Sequence, residues 1–251
     1  MLTLDRVVAG YGGGDVLHGV SLECAPSTVT CVIGPNGAGK STVLRVISGL
    51  LAPRAGEVRL GGEVLSGCST QEILRHGVVQ VPQSQALFPK MTIAENVLMG
   101  GYLLRKNRAL LHARLAAVEE LVPLVRERAS EPAGNLSGGQ RRMVEIGRCL
   151  MLEPKVVMMD EPSLGLDPRS LAAVAALIER IHLSGATVLL VEQNVRIGLG
   201  LATHGVVMEG GRVRLTGRAA EIAGHPDIGQ LYLGAPTAAG STVNTPPTKG
   251  L

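Results

Sequence analysis

A glycine-rich stretch near the start of the chain has the residue types needed to hold a phosphate chain. Residues 34–41 match the pattern G-x-x-x-x-G-K-[ST] in full, after an apolar run and before a helical pattern. Glycines let backbone N–H groups turn toward an anion, and the first turn of a helix adds partial positive charge. We expect Lys40 to reach the β- and γ-phosphates of a nucleotide and Ser41 to bind Mg²⁺. The alternative, a turn with a chance Gly-Lys-Ser, is opposed by the flanking strand and helix. The nucleotide-binding residues predicted here are Gly34, Pro35, Asn36, Gly37, Ala38, Gly39, Lys40, Ser41 and Thr42.

A second segment is an apolar run that ends in two carboxylates. Residues 156–161 are Val-Val-Met-Met-Asp-Glu. Beside a phosphate-binding loop, this run places Asp160 to hold Mg²⁺ through water, and Glu161 to orient or deprotonate an attacking water. Many strands end in acidic residues, so the run is informative only because residues 34–41 accompany it. Together the two segments predict hydrolysis of a bound nucleotide.

A third segment, Leu-Ser-Gly-Gly-Gln at residues 136–140, predicts a second anion site. A serine hydroxyl and glycine amides at the start of a helix can bind an anion. The same residues also fit a capped helix with no ligand. That alternative does not explain why they lie about 20 residues before the acidic strand. The residues predicted to bind here are Ser137, Gly138, Gly139 and Gln140.

The combination of the three segments resembles the ATP-binding-cassette (ABC) ATPases, whose signature motif is similar to residues 136–140. Gln83 resembles the glutamine of the Q-loop, which touches Mg²⁺ or the attacking water and senses a membrane subunit. Residues 163–167 resemble the D-loop, which crosses a dimer interface. Tyr11 sits where the family places an aromatic ring against adenine, although ordinary packing near a strand end is the alternative. The resemblance covers about residues 2–234.

This resemblance implies an α/β P-loop NTPase fold with a mostly parallel central sheet, an antiparallel β portion and a helical subdomain. It implies ATP and Mg²⁺ as ligands. It also implies a head-to-tail pair of cassettes, in which each signature closes over the ATP of its partner. The expected partners are a second, unlike ATPase, two membrane permeases and, indirectly, an extracytoplasmic substrate-binding protein. The chain is then expected at the cytoplasmic face of the cell membrane, as a peripheral subunit.

Three segments are similar to the branched-chain amino acid importer ATPases, specifically the second of the two unlike ATPases that those importers use. They are residues 99–102, 190–194 and 231–234, and the urea and short-amide importers share them. Most ABC ATPases have a histidine where this chain has Gln193, and the subgroup commonly shows the same change. The resemblance therefore implies an importer ATPase with Glu161, Gln83 and Gln193 at its catalytic site.

Three other functions remain open at this point. The ATPase of an exporter or lipid-extraction machine would share the motifs up to Glu161, but Gln193 and residues 231–234 argue against it. ABC proteins that act on DNA or ribosomes carry long insertions or two fused cassettes, which this chain lacks. A regulatory subunit that binds nucleotide with little turnover stays open because of Gln193, and a measurement of ATPase activity would separate it.

Hydrophobic patterns predict the elements that position these residues. Strands are predicted over residues 2–8, 28–33, 77–81, 156–159 and 186–191, with a hairpin over 206–215. Helices are predicted over residues 40–48, 108–125 and 167–185, with two more that open at Thr92 and Ser137. The alternation predicts a mostly parallel sheet, interrupted by a helical subdomain at about 88–153 within a domain of residues 1–234. Residues 235–251, rich in Pro, Thr, Gly and Ser, predict a disordered tail.

Composition limits the remaining classes of function. The chain has 251 residues and a net charge of +3, with no clustered basic surface of the kind that binds nucleic acid. The pair Arg141 and Arg142 is interpreted as part of a solvated helix face. The four cysteines lack metal-ligand spacing, and we expect buried, reduced thiols of a cytosolic protein. We also expect no signal peptide and no transmembrane helix, so any membrane role requires a partner.

Overall fold

The structure is a computed structural model, and it describes residues 1–83, 86–226 and 228. The strands are β1 (Leu2–Tyr11), β2 (Gly14–Cys24), β3 (Val29–Ile33), β4 (Ala55–Leu60), β5 (Glu63–Val64), β6 (Val78–Val81), β7 (Val156–Asp160), β8 (Thr187–Glu192), β9 (His204–Glu209) and β10 (Arg212–Arg218). The α-helices are α1 (Lys40–Ile47), α2 (Thr70–His76), α3 (Ile93–Gly100), α4 (Arg108–Leu121), α5 (Leu124–Glu127), α6 (Gly138–Leu150), α7 (Pro168–Leu183), α8 (Val195–Leu201) and α9 (Ala219–Ala223).

The central sheet has six strands in the order β10-β9-β3-β8-β7-β6. All neighbouring pairs are parallel except β9 and β10, which form the expected antiparallel hairpin. Every residue of β3, β7 and β8 is buried. Strands that are covered on both faces need unbroken apolar sequences, which explains why these three were recognisable as apolar runs. The prediction of a mostly parallel α/β sheet is confirmed.

The carboxyl ends of the parallel strands form one edge of this sheet. Ile33 at the end of β3 pairs with Glu192 of β8, and Asp160 at the end of β7 pairs with Val191. The loop after β3, the carboxylates at the end of β7 and the segment after β6 therefore all lie at this edge. Ligands of parallel α/β sheets bind outside the carboxyl ends of the strands, so the predicted chemistry converges where the fold permits a site.

A second, antiparallel sheet has four strands in the order β2-β1-β4-β5. Its buried residues share one apolar cluster with α1 and the central sheet, including Leu4, Val43, Ile47 and Met158. Helix α1 is thus packed between the two sheets, which fixes the direction of the loop that precedes it. Tyr11 lies at the end of β1, where that strand pairs with Gly14.

Helices α3, α4 and α5 pack against α6 and form the helical part of the chain. The single helix predicted over residues 108–125 is wrong, because α4 ends at Leu121 and the short α5 follows Pro123. Proline disfavours helical backbone in the residue before it, and Val122 accordingly has φ −129° and ψ 79°. Helices α3 and α6 open at Thr92 and Ser137 as predicted, and each of these two residues forms a capping box.

The cysteines form no disulfide among the described residues. Cys24 and Cys31 are buried, whereas Cys68 and Cys149 are only half-buried, so the expectation of four buried thiols is partly wrong. Burial raises the pKa of Cys24 to about 12, which keeps this thiol protonated.

No helix within the described ranges is both long enough and apolar enough to cross a membrane. The predicted tail at residues 235–251 and the motif at residues 231–234 lie outside the described residues.

Candidate active site

The loop that joins β3 to α1 places the predicted phosphate-binding residues at the carboxyl edge of the central sheet. Gly37 and Gly39 have φ values of 81° and 97°, a left-handed conformation that glycine adopts without strain. Lys40 folds back into this loop, where Nζ donates hydrogen bonds to the carbonyl oxygens of Gly34 (2.8 Å) and Pro35 (3.1 Å). Its ammonium group is therefore held inside the turn.

The electrostatics of this loop favour an anionic ligand. Lys40 is only 5% exposed, and burial lowers its pKa, whereas the nearby carboxylates of Glu161 and Asp160 oppose that shift. Gly39 precedes α1 without a side-chain cap, so the N–H groups of the first helical turn face the same region. A buried cation and a helix N-terminus at one place form a binding site for phosphate.

Ser41 and Asp160 bring two oxygen atoms together beside this loop. The Oγ of Ser41 donates a hydrogen bond to Oδ1 of Asp160 at 3.2 Å. Burial raises the pKa of Asp160, and the hydrogen bond from Ser41 opposes that shift. A hydroxyl and a carboxylate are hard oxygen ligands of the kind that Mg²⁺ binds while it keeps several waters. The donor set therefore fits Mg²⁺.

Gln83 and Glu161 meet at the same edge. Nε2 of Gln83 donates a 2.6 Å hydrogen bond to Oε2 of Glu161. Glu161 has a φ of 47°, a left-handed conformation that is uncommon outside glycine, and its N–H donates to the carbonyl oxygen of Val191. Backbone strain of this kind is often found at functional sites. The structure thus brings the two predicted water-handling residues into direct contact.

The predicted second anion site lies at the start of α6. The Oγ of Ser137 accepts a hydrogen bond from the N–H of Gln140, whose side chain accepts one in return from the N–H of Ser137. Gly138 is exposed, and a Cβ there would meet no atom within 4 Å. A Cβ on Gly139 would lie 2.3 Å from Oγ of Ser170, so this glycine is required where α6 approaches α7.

The two anion sites are separate on this chain. Within the described ranges, no hydrogen bond or ion pair joins residues 137–140 to residues 34–42 or to Asp160 and Glu161. Ser137 is exposed at the end of its helix, where a second molecule can reach it. The structure therefore does not assemble all the predicted binding residues into one pocket.

Tyr11 is placed beside α1. Its phenol oxygen accepts a 2.8 Å hydrogen bond from Nη1 of Arg45, one turn after Lys40, and the side chain is 46% exposed. The position is near the phosphate-binding loop and open to solvent, which is compatible with stacking on a base. Arg45 itself was not predicted as a site residue.

Glu192 is a buried carboxylate that the sequence argument missed. Its two oxygens accept hydrogen bonds from the N–H and Oγ of Ser163, at 3.0 and 2.9 Å. The side chain is 2% exposed, and burial raises its pKa, although the bonds from Ser163 oppose that shift. It holds the segment that follows Glu161. The sequence contains a signal for this residue, because β8, like β7, is an apolar run that ends in a carboxylate.

The part of the chain that carries these motifs matches a known protein family. The model of the ABC transporter family matches residues 17–164, more than half of the chain. The chain belongs to the ABC transporter family. The chain is therefore an ATPase of this family.

Similar proteins span nearly the whole chain. BraG of Pseudomonas aeruginosa, a high-affinity branched-chain amino acid transport ATP-binding protein, is 38% identical over 93% of this chain and 100% of its own. BraF of the same species, of the same description, is 34% identical. LivG of Escherichia coli is 31% identical over 93% of this chain and 98% of its own. The crystal structure of an ATP-binding cassette of an ABC transporter in its ADP conformation has a TM-score of 0.83 at 30% identity, and covers 93% of this chain and 98% of that one.

Gln193 of this ABC ATPase lies in a cavity next to Glu161. The cavity has a volume of about 530 Å³ and is lined by Glu161, Ser163, Glu192 and Gln193 among others. Gln193 is exposed. Gln193 and Glu161 therefore line the same cavity.

Proposed function

We propose that this chain hydrolyses ATP at a site shared with a second cassette and thereby powers an importer of branched-chain amino acids or related amino acids and amides. The observation that carries the proposal is the contact between Gln83 and Glu161, directly beside the oxygen pair of Ser41 and Asp160. The names of BraG, BraF and LivG support the substrate class.

The proposed chemistry follows from this chain's own groups. The N–H groups of residues 34–41 and the ammonium of Lys40 hold the phosphate chain of ATP. Ser41 and Asp160, with Gln83, would hold Mg²⁺, which would supply positive charge to the phosphate oxygens. The carboxylate of Glu161 orients a water and accepts its proton, and Gln83 keeps that carboxylate in place. Tyr11 stacks on the adenine ring.

The second cassette is proposed to supply the other half of the site. Ser137 and Gly138 are exposed at the N-terminus of α6 and do not contact this chain's own phosphate loop. They are therefore available to the nucleotide of a partner in a head-to-tail pair. One species has two similar proteins of the same description, BraG and BraF, which supports a pair of unlike cassettes.

Membrane permeases are the proposed partners at a groove of about 400 Å³ beside β6, which Gln80 helps to line. The groove is mostly apolar and includes Leu74, Val79, Met99 and Tyr102, of which Met99 and Tyr102 are 46% and 59% exposed. An apolar, half-open groove fits an amphipathic segment of a permease. The chain would then lie at the cytoplasmic face of the membrane, with an extracytoplasmic binding protein delivering substrate.

Uptake measurements test the substrate class. A strain that lacks the gene is complemented with the wild-type chain, Glu161→Gln or Glu179→Gln, and uptake of labelled leucine and labelled urea is measured. Glu179 is an exposed carboxylate on α7 and serves as the matched control. We expect the wild type and Glu179→Gln to restore leucine uptake and Glu161→Gln to fail. The amino acid assignment would be refuted if the wild-type chain restored urea uptake alone, or if it restored uptake of neither leucine nor urea.

The shared site is tested in the assembled transporter. Lys40→Ala and Ser137→Arg each damage one composite site if the sites are shared. The double variant in this one chain then damages both, so ATP turnover should fall to background only in the double variant. If each chain used only its own residues, the double variant would retain the same turnover as either single variant.

A further inference from the structure

Arg142 is a buried cation in the middle of the residues that handle ATP. The pair of arginines at 141 and 142 was interpreted as part of a solvated helix face, and this is wrong for Arg142, which is 7% exposed. It lies on α6, little more than one turn after Ser137. Burial of an arginine requires that its donors find acceptors, so its hydrogen bonds define its role.

Arg142 donates to three backbone carbonyl oxygens that surround the site. Its Nη1 donates to the carbonyl oxygen of Pro82 at 2.6 Å. Its Nη2 donates to the carbonyl oxygens of Asp160 at 3.1 Å and Glu161 at 3.2 Å. These carbonyls belong to the residue before Gln83, to the last residue of β7 and to the acidic residue that follows it. One guanidinium group therefore fixes the backbone beneath both partners of the contact between Gln83 and Glu161.

The charge of Arg142 is balanced by Glu145 on the same helix. The two side chains form an ion pair at 3.2 Å, and Glu145 is 4% exposed. Glu145 also accepts a hydrogen bond from the N–H of Ala86 at 2.8 Å. The ion pair of Arg142 and Glu145 thus connects α6 to the chain segments just before and just after Gln83. Glu161 gains most from this support, because its left-handed φ of 47° persists only where its surroundings enforce it.

We propose that Arg142 is a positioning residue that couples the signature helix α6 to the contact between Gln83 and Glu161. When an anion bound at Ser137 displaces the start of α6, the guanidinium of Arg142 moves with the helix. It then shifts the backbone of Glu161, whose carboxylate orients the attacking water. Arg142 does not touch ATP. The proposal deepens the proposed function, because it rests on the roles of Glu161 and Ser137 in hydrolysis.

The test compares catalysis with nucleotide affinity in the full-length chain assembled with its partners. We expect Arg142→Met to lower kcat on the order of 10- to 100-fold, because small displacements of catalytic groups cost about that much. Affinity for a fluorescent ATP analogue should stay within about two-fold, since Lys40 and residues 34–41 are untouched. Arg142→Lys keeps the charge but cannot span the three carbonyls, so it should restore kcat only in part.

Two further variants keep the test valid. Arg142→Met leaves the carboxylate of Glu145 buried without its cation, so Arg142→Met is also combined with Glu145→Gln to protect folding. Arg180→Met is the matched control, because Arg180 also donates to two carbonyl oxygens, those of Leu121 and Glu120, away from the site. Thermal melting of each variant measures the loss of stability separately from kcat.

The coupling itself is tested by a double-mutant cycle between Ser137→Ala and Arg142→Lys. Coupled residues give a combined loss of kcat that differs from the product of the separate losses. Three results would each overturn the proposal. They are equal losses of kcat and ATP affinity in Arg142→Met, a loss of kcat in Arg180→Met as large as that in Arg142→Met, and losses of kcat that simply multiply in the cycle. Full activity of Glu161→Gln would instead show that the proposed role of Glu161 is wrong, which separates the two failures.

Discussion

The side-chain amide of Gln83 donates a 2.6 Å hydrogen bond to the carboxylate of Glu161, although 78 positions separate them in the sequence. The contact exists because β6 and β7 are parallel neighbours and both residues follow the carboxyl ends of these strands. Gln83 thereby restrains the carboxylate that we propose accepts a proton from water. A carboxylate in a fixed orientation is a better general base than one that rotates freely.

Glu161→Gln should separate ATP binding from turnover. A glutamine amide can keep the hydrogen-bonded contact to Gln83 but cannot accept a proton from water. Loss of a general base lowers turnover by about 100-fold or more. Affinity for ATP should stay unchanged, because the substitution leaves Lys40 and residues 34–41 intact. ATPase rates and nucleotide binding in the assembled transporter measure the two quantities.

The same variant should accumulate the closed, doubly liganded pair of cassettes, because hydrolysis no longer reopens it. Size-exclusion chromatography with and without ATP measures that species. Glu179→Gln, an exposed carboxylate on α7, should behave as the wild type. Wild-type turnover by Glu161→Gln would rule out the role proposed for this carboxylate.

Gln193 should limit the rate at this chain's own site. A protonated histidine at this position would present a charged donor to the γ-phosphate, whereas glutamine presents a neutral one. Hydrogen bonds to charged groups contribute about 1.5–3 kcal/mol, against about 1 kcal/mol for neutral pairs. Part of that difference corresponds to about a ten-fold change in rate. Single-turnover hydrolysis should therefore rise in Gln193→His and fall in Gln193→Ala.

The partner cassette provides the comparison for Gln193. If it has a histidine at this position, its site should turn over faster than this one, while both sites bind ATP. Equal single-turnover rates for glutamine, histidine and alanine at 193 would show that this side chain takes no part in the chemistry.

The sequence predicted the centre of the site well because parallel buried strands leave a clear pattern. The runs that end at Ile33 and Asp160 are apolar on both faces, and the phosphate loop has a fixed spacing. Helix caps at Thr92 and Ser137 were equally readable, because capping is local chemistry. The break at Pro123 was also local, and a stricter use of the proline rule would have found it.

The residues that support the site were harder to predict. Arg142 follows another arginine in a polar segment, and only the tertiary approach of Pro82 and Glu161 shows that it is buried. Strand β2 was missed although its buried residues alternate from Val20 to Cys24, because glycines and irregular pairing with β1 interrupt the pattern. Patterns within a single segment cannot show which distant backbone groups an arginine reaches.

The two signature glycines should respond differently to alanine. A Cβ on Gly138 meets open space, so Gly138→Ala should leave stability unchanged or raise it by about 0.5–1 kcal/mol through helix propensity. A Cβ on Gly139 would lie 2.3 Å from Oγ of Ser170, so Gly139→Ala should lower the melting temperature. Gly138→Ala should nevertheless reduce ATP turnover in the assembled pair, because the methyl group would face the partner's nucleotide in the proposed head-to-tail arrangement.

Melting temperatures and ATPase rates of both variants distinguish these effects. Each serves as the control for the other, since the substitution and the helix are the same. A stable Gly138→Ala variant with full turnover would show that this surface does not receive the partner's phosphates.

Glu192→Gln should change the pH dependence of stability. Burial raises the pKa of Glu192, so the folded protein binds this proton more tightly than the unfolded chain. The wild type therefore loses stability as pH rises through the raised pKa, and glutamine has no such titration. Glutamine can keep both contacts to Ser163, by accepting from its N–H and donating to its hydroxyl oxygen. The melting temperature of Glu192→Gln minus that of the wild type should then be larger at pH 8 than at pH 5.

A difference of about 1 kcal/mol would appear as about 2–4 °C in a chain of this size. Glu23→Gln on β2 is the control, because Glu23 is exposed and the substitution is the same. Its melting difference at the two pH values is the background against which the pH dependence of Glu192→Gln is measured. A melting difference for Glu192→Gln that is independent of pH would mean that Glu192 does not titrate differently in the folded and unfolded chains. In that case the hydrogen bonds from Ser163 offset the cost of burying the charged carboxylate.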